Sequence, residues 1–548
     1  MELIDRQNVL DLIGKDSRRY HSCIITCYSF DFSFFEERVL PVFRTANIRN
    51  VNVFADGKCL ENSQELTTGK EFSFQKNYSL ISIYNDQGVF HPKILFLVGE
   101  LDSLLIIGSG NITSSGLHHN DEIWAAFHYK DGKEKNSSII NEAWLYLNSL
   151  FKFAKGISVE KLKWISSNAN WLDDLKLISK NTNPDVRLIT NNFYNTILDE
   201  LPKKELKKIT IVSPYYDQKG KLIENLYNDL EPERMKVLIE ENSGILPYDF
   251  PFHNYLNIDF YSWKNSKLDF DDSLQKLHAK LIHFEYSDEE FLFFGSANAT
   301  ISGLGSREIN AVNMEASIMI SRDIIDNNNW IRQLGIVISD EQVDIKALRS
   351  QKPLKELNNY SKNLLIRLLY AEQHPDKVLV TATTLISTNY KIVFLNRDEI
   401  IIDEFNVEKE SEEINISFQD QEVFKIYVKY NNERISNCVL VHNVINLLKT
   451  NPNQLSSELE QLLNTESIDG DGLESLLRYT DTDWADEIAF KSKASSNFSY
   501  GFPVREQKET EKNDLKKLEY HDFNNSSVST DYDKYTSSQN PNIRIADF

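Results

Sequence analysis

From Ser22 the chain alternates short apolar runs with longer amphipathic stretches. CIITCYSFD reads as a buried strand, FSFFEERVLPVFRTANI as a helix-length segment and RNVNVFAD as a second strand. The series recurs from Lys207 as KKITIVSPYYD, QKGKLIENLYNDL and ERMKVLIEE. In both copies the first strand runs into an aromatic turn closed by an acid, Asp31 or Asp217. Farther along, two apolar runs flank a polar turn: HPKILFLV, GELD and SLLIIG over 91–108, then HAKLIHFEY, SDEE and FLFFG over 278–295. Each set predicts a β-hairpin. Sixty residues separate Asp31 from His91 and 61 separate Asp217 from His278, so the repeat has the size of a domain rather than of a solenoid unit.

Beyond about residue 340 the pattern changes. Residues 341–372 read as helical with a break near Pro353, HPD at 374–376 reads as a linker, and short alternating runs from KVLVTATTLI onward predict a small β sandwich. Weak helical patterns then give way to a tail rich in Ser, Asn, Asp and Lys. The expected fold class is α/β: two like α/β domains, 1–165 and 166–340, forming a bilobal pseudo-twofold unit. A helical linker (341–376), a mostly-β module (377–446) and a weakly helical to flexible tail (447–548) follow.

Composition narrows the function classes. Hydrophobic residues make up 41% of the 548, yet no apolar run approaches the roughly 18 to 20 residues that a membrane helix needs. The first residues carry acids among their apolar positions and no cleavage-type site, so a cytoplasmic protein without membrane contact is expected. A net charge of −22 argues against a general basic coat for nucleic acid but leaves room for a small basic cleft. Cys23, Cys27, Cys59 and Cys438 show no ligand spacing, and Cys23 and Cys27, in the apolar run CIITCY, read as core thiols; neither metal nor cofactor is expected.

The candidate chemistry lies on the hairpins. His91 and Lys93 are followed by Gly-Ser-x-Asn with Ser109 and Asn111; His278 and Lys280 are followed by Ser296 and Asn298, and each His stands twenty residues before its Asn. Two His, two Lys and two Asn in one cleft suit phosphodiester cleavage. One neutral imidazole attacks phosphorus, the other passes a proton to the leaving oxygen, and Lys and Asn, with the Ser hydroxyls, meet the phosphoryl oxygens. A nucleophilic imidazole needs its other nitrogen held. Glu122 and Glu315, each in an Asn-x-Glu with Asn120 or Asn313, are the candidates for that. The small residues Gly108, Gly110, Gly295 and Ala297 are read as letting the backbone pass close to a ligand.

This doubled motif resembles the phospholipase D superfamily, whose members pair two such motifs in one bilobal α/β fold and work through a phosphohistidine. The resemblance covers roughly residues 1–340. The family's usual Asp, five residues after the Lys, is replaced here by Val98 and Glu285. In this the chain is similar to the tyrosyl-DNA phosphodiesterase branch. The resemblance implies a metal-independent phosphodiesterase with one active site per chain. Among its members it is similar to the stand-alone phospholipase D-like proteins of bacterial restriction and phage-defence loci, which often act with a helicase or other subunits, and a nuclease acting on DNA or RNA is the expected function. A lipid-hydrolysing phospholipase D and a catalytically idle nucleic-acid-binding scaffold remain as alternatives.

Other features read more plainly. His118 and His119 fall in a loop after the motif, His283 faces away from Lys280, and Lys203, Lys204, Lys207 and Lys208 form a solvated basic cluster. Tyr28, Phe30, Tyr215 and Tyr216 read as core or cleft wall, where aromatics at a rim stack bases.

Overall fold

The computed structural model describes residues 9–15, 20–67, 78–130, 135–178, 185–241, 244–268, 276–324, 329–343, 364–419, 421–448 and 543–547. Two α/β sheets of like order carry the repeat. The first contains β1 (Ser22–Cys27), β2 (Asn50–Asp56), β3 (Tyr78–Ile83), β4 (Ile94–Val98), β5 (Asp102–Gly108) and β6 (Asn120–Lys130), in spatial order β6-β5-β4-β1-β2-β3. The second contains β7 (Val186–Ile189), β8 (Lys208–Val212), β9 (Arg234–Ile239) and β10 (Ile258–Ser262). The short β11 (Lys267–Leu268) and β12 (Lys276–Leu277) precede its hairpin, β13 (Leu281–Glu285) and β14 (Glu289–Gly295), and β15 (Ser317–Asp323) closes it. Its order, β15-β14-β13-β8-β9-β10, repeats the first, with β7 added outside β15. β11 pairs with β16 (Ile336–Val337) in a ladder of two strands.

The apolar runs follow from burial on both faces. All of β1 is buried; Ile24 enters one core cluster, while Cys23 and Ile25 enter another on the opposite face. In β8, Val212 shares the cluster of Ile24, whereas Ile209 and Ile211 face an outer core with Phe284 and Phe293. The cluster around Ile24 runs from Phe54 and Phe96 of the first sheet to Leu281, Phe294 and Ile318 of the second, so the two halves share one interior. All four cysteines are buried free thiols, with burial pushing Cys59 up to about 12. No helix of the described residues is long and apolar enough to cross a membrane.

Three sequence expectations change. The hairpins form, but their first strands begin at Ile94 and Leu281 rather than at His91 and His278, because the His91, His278 and Ala279 amides bond to the opposite half; only Lys93 O and Lys280 O still accept from their own return strands, from Gly108 N and Gly295 N. Most of the expected helical linker, 344–363, lies outside the described residues; its end, β17 (Leu368–Gln373), is a strand. β17 takes a central place between β18 (Lys377–Ile386) and β24 (Val439–Asn443), where its short apolar run is covered by neighbours. With β19 (Lys391–Leu395), β20 (Ile401–Asn406), β21 (Ser411–Ser417), β22 (Lys425–Tyr430) and β23 (Glu433–Arg434), these form one hydrogen-bonded series whose two ends share a core, Val380 and Ile416 with Phe394 and Val428. The module docks on the first half: Phe424 and Leu440 enter its core, and Leu80 N donates to His442 Nε2 at 3.0 Å. Of the tail, 449–542 lies outside the described residues. β25 (Ile543–Asp547) pairs in parallel with β6, so this end of the tail is an ordered strand, held by a backbone ladder, and not a free terminus.

Candidate active site

The residues leading into each His are built into the other half of the repeat. Phe90 bridges in parallel to Met314, and His91 N donates to Met314 O at 2.8 Å. In the mirror arrangement β12 pairs in parallel with the start of β6, and His278 N and Ala279 N donate to Asp121 O at 3.0 and 2.7 Å. Two acids anchor these approaches. Asp56, at the end of β2, accepts from Phe90 N at 2.9 Å, and Glu240, just past β9, accepts from Leu277 N at 3.1 Å. Burial pushes the Asp56 carboxyl up against that hydrogen bond. Sequence reading missed both residues; the only signal was an acid closing the second strand of each copy.

The side chains cross in the same way. His91 Nδ1 lies 2.7 Å from Glu315 Oε2, and His278 Nδ1 lies 2.6 Å from Glu122 Oε1. Each glutamate therefore orients the imidazole of the opposite copy. With Nδ1–H given to a carboxylate, Nε2 is left as the basic nitrogen. Ser109 and Ser296 donate their hydroxyls at 2.5 Å to Glu122 and Glu315 and accept from Ile123 N and Ala316 N at 3.0 and 2.8 Å. The hydroxyl hydrogens thus steady the carboxylates, which corrects the expectation that they face a phosphate. Asn120 and Asn313 add amide contacts to the same carboxylates at 3.3 and 3.2 Å.

Lys93 Nζ donates to His91 O at 2.7 Å and Lys280 Nζ to His278 O at 2.6 Å; both are almost fully buried. Lys280 Nζ also stands 3.3 Å from both ring nitrogens of His278. Asn111 Oδ1 accepts from Tyr28 N and Ser29 N at 3.3 and 3.4 Å, which turns its NH₂ away from that turn; Asn298 Oδ1 has no partner among the described residues. Tyr28 and Tyr215 stand edge-on to His91 and His278, with ring centres 5.2 and 6.4 Å away.

Burial dominates the electrostatics. It lowers both His91 and His278 to about 4, against the opposing pull of Glu315 and Glu122. Burial followed by the like charge of Lys280 lowers Lys93 to about 7, and burial lowers Lys280 to about 8. Burial would raise Glu122, but His278, Lys280 and Ser109 together outweigh it and hold the carboxyl below its ordinary range. The site thus has neutral imidazoles beside ammonium groups that shed protons easily.

The remaining candidates sit elsewhere. His118 packs edge-on against Phe34 at 5.5 Å and beside His119. His283 is fully buried with Nε2 2.6 Å from Glu290, which Arg322 also grips. Lys204, Lys207 and Lys208 are paired with Asp288 and Glu289, Glu233, and Glu285 respectively. Val98 and Glu285 end their strands about 16 Å from the Lys positions. The glycines serve the sheet: a Cβ on Gly108 would strike Ile123 O and Trp124, and one on Gly295, at φ +150°, would strike Ser317, so they admit the neighbouring strand rather than a ligand. A groove of about 1110 Å³ opens next to the Glu315 segment, walled by Asn85, Tyr146, Asn191, Asn310 and Asn313.

Among solved structures, the chain is similar to yeast tyrosyl-DNA phosphodiesterase, with 12% identity over 57% of this chain and 84% of that one and a TM-score of 0.39. It is also similar to the polyphosphate kinase of Porphyromonas gingivalis, with 10% identity over 62% and 50% of the two chains and a TM-score of 0.34. No protein-family model matches the chain, and no curated protein matches it. Similarity of this size carries no functional argument; the side-chain geometry does.

Proposed function

We propose that the chain is a phosphodiesterase of phospholipase D type that cleaves nucleic acid through a phosphohistidine. The observation that carries this is the crossed pair of His–Glu contacts, which presents two Nε2 atoms, one from each copy, beside Lys93 and Lys280. His91 Nε2 attacks phosphorus, and the N–P bond forms as the P–O bond to the leaving group breaks. His278, protonated as the substrate's negative charge offsets its burial, gives its Nε2 proton to the leaving oxygen. Water then attacks phosphorus, His278 takes its proton, and the N–P bond breaks. Lys93, Lys280, Asn111 and Asn298 hold the phosphoryl oxygens as charge builds.

Nucleic acid is favoured as substrate by the half-buried Tyr28 and Tyr215 beside the imidazoles, which offer ring faces to flanking bases. The amide-lined groove beside Glu315 has room for the adjoining nucleotide. A place in a bacterial restriction or phage-defence system, beside a helicase or another subunit, rests on the motif resemblance alone.

The test is hydrolysis of single- and double-stranded DNA and RNA in EDTA, alongside phosphatidylcholine vesicles and a p-nitrophenyl phosphodiester. Wild type is expected to cut nucleic acid and the small diester. His91→Ala should lose about 10³-fold or more in turnover. His278→Ala should still give one burst of p-nitrophenol, a leaving group that needs no proton, and leave a phosphorylated His91. Activity that needs magnesium, or survives His91→Ala, overturns the mechanism; release of phosphatidic acid with nucleic acid untouched overturns the substrate.

A further inference from the structure

The two sheets end differently at one corresponding edge. Gly108 pairs with Trp124 on β6 as Gly295 pairs with Ser317 on β15, so Glu122 and Glu315 hold equivalent places just before those pairs. Outside β15 lies β7, antiparallel, matching Ile189 to Ser317 and Val186 to Ile320. Outside β6 the edge is shared. β12 covers Asn120 and Asp121, and from Glu122 to Ala126 the partner is β25, running parallel and bringing Ile543 opposite Glu122. The last residues of the chain therefore fill the place that β7 fills in the second half. Their ladder begins at the residue whose carboxylate holds His278.

A sheet edge with free N–H and C=O groups accepts an added strand through main-chain bonds. We propose that the outer edge of β6 is an acceptor site for an extended peptide, that its occupant is the chain's own Ile543–Asp547, and that occupancy tunes the His278 half of the active site. The second part rests on the phosphodiesterase reading; the first does not. When the slot is filled, β25 lines the outer edge of β6 from Glu122 to Ala126, and β5 lines the inner edge from Trp124 onward, with Ser109 N donating to Ile123 O at 3.0 Å just before it. When it is empty, the start of β6 is left with β12 on its outer edge only at Asn120 and Asp121, and the Glu122 carboxylate loses part of the frame that keeps it 2.6 Å from Nδ1. β12 cannot extend to replace the missing strand, because its chain turns into the seam at His278, where two amides share Asp121 O.

The test compares the full chain with a variant lacking residues 543–548 and with the double variant Ile545→Pro/Ala546→Pro, which removes whichever of these two N–H groups faces β6 without shortening the chain. Hydrogen exchange of the 122–126 amides, measured without substrate, is expected to speed up about tenfold or more in both variants. It should return to the full-chain rate when a synthetic peptide spanning residues 542–548 is added in excess. Unfolding temperature reports whether the rest of the molecule stays folded. Turnover of the p-nitrophenyl diester is expected to fall about threefold to tenfold and to be rescued by the same peptide. Unchanged exchange in both variants overturns the acceptor site. Faster exchange with unchanged turnover keeps the site and overturns its coupling to His278. Full-chain protein that shows exchange protection but no turnover at all sinks the phosphodiesterase reading and leaves the acceptor site standing.

Discussion

The two halves of the site have a common plan but differ in detail. Each imidazole is held by a glutamate from the other copy, each glutamate by a serine of its own copy, and each lysine bonds the carbonyl of its own histidine. Yet Lys280 lies against the His278 ring at 3.3 Å from Nε2, while Tyr28 crowds His91 more closely than Tyr215 crowds His278. The repeat supplies a common scaffold, and the small departures set the two rings apart. A ring whose basic nitrogen already faces an ammonium is the poorer nucleophile and the better place to pass a proton. On that ground the proposed mechanism assigns attack to His91 and the acid and base steps to His278.

The crossing can be broken one glutamate at a time, with the largest expected effects. Glu315→Gln should slow attack by His91 about 10²- to 10³-fold whatever the leaving group, because the amide no longer favours the Nδ1–H tautomer. Glu122→Gln should weaken the acid step, so cleavage of an alkyl diester falls about 10²-fold while release of p-nitrophenol from its diester hardly changes. Rapid-quench measurement of both leaving groups in both variants decides it. If each glutamate served its own copy, the two patterns would exchange.

How far this was legible in the chain depends on the distance over which each residue acts. His91, Lys93, His278 and Lys280 were legible because a spacing occurs twice, and Glu122 and Glu315 because each follows its motif in an Asn-x-Glu. Their crossing was not, since nothing local records which half a carboxylate reaches. Asp56 and Glu240 act on amides 34 and 37 residues away without a motif between them. The β17 segment fits a helix in sequence because a short apolar run suits both periods, and its burial comes from strands on either side. β25 is five residues at the end of a polar tail, given structure only by a strand more than four hundred positions earlier.

A subtler contrast lies in the lysines. Both are lowered by burial, Lys93 to about 7 and Lys280 to about 8, and both must be charged to hold a phosphate. The kcat/KM profile should therefore fall on the alkaline side from about pH 7 to 8. On the acid side it should fall near 4, where His91 gains the proton that blocks attack. The loss at pH 9 is expected to be about 10³-fold, about 100-fold from Lys93 and about tenfold from Lys280, and to appear in KM first, since substrate anion binds only the protonated form. Stability runs the other way. Each lysine takes up a proton on unfolding below about 10.5, so the native state gains stability as pH rises from about 7 toward 10.5. Denaturant midpoints that fall over that range would contradict buried, depressed lysines.

The smallest effect separates the two asparagines. Asn111 Oδ1 accepts two backbone amides of the turn after β1, while Asn298 Oδ1 has no partner among the described residues. Both amides are assigned the same role toward the phosphoryl oxygens, so Asn111→Ala and Asn298→Ala should slow turnover by similar factors, about 10²-fold each. They should differ in stability. Removing Asn111 leaves Tyr28 N and Ser29 N without their acceptor, at a cost of about 1 to 2 kcal/mol. Removing Asn298 relieves a buried oxygen that has no donor and should cost about 1 kcal/mol less. Equal loss of turnover with unequal denaturant midpoints is the expected result. Equal midpoints would mean that the 3.3 and 3.4 Å contacts of Asn111 are too long to hold the turn, and that the two copies are closer to equivalent at this position than their hydrogen bonds suggest.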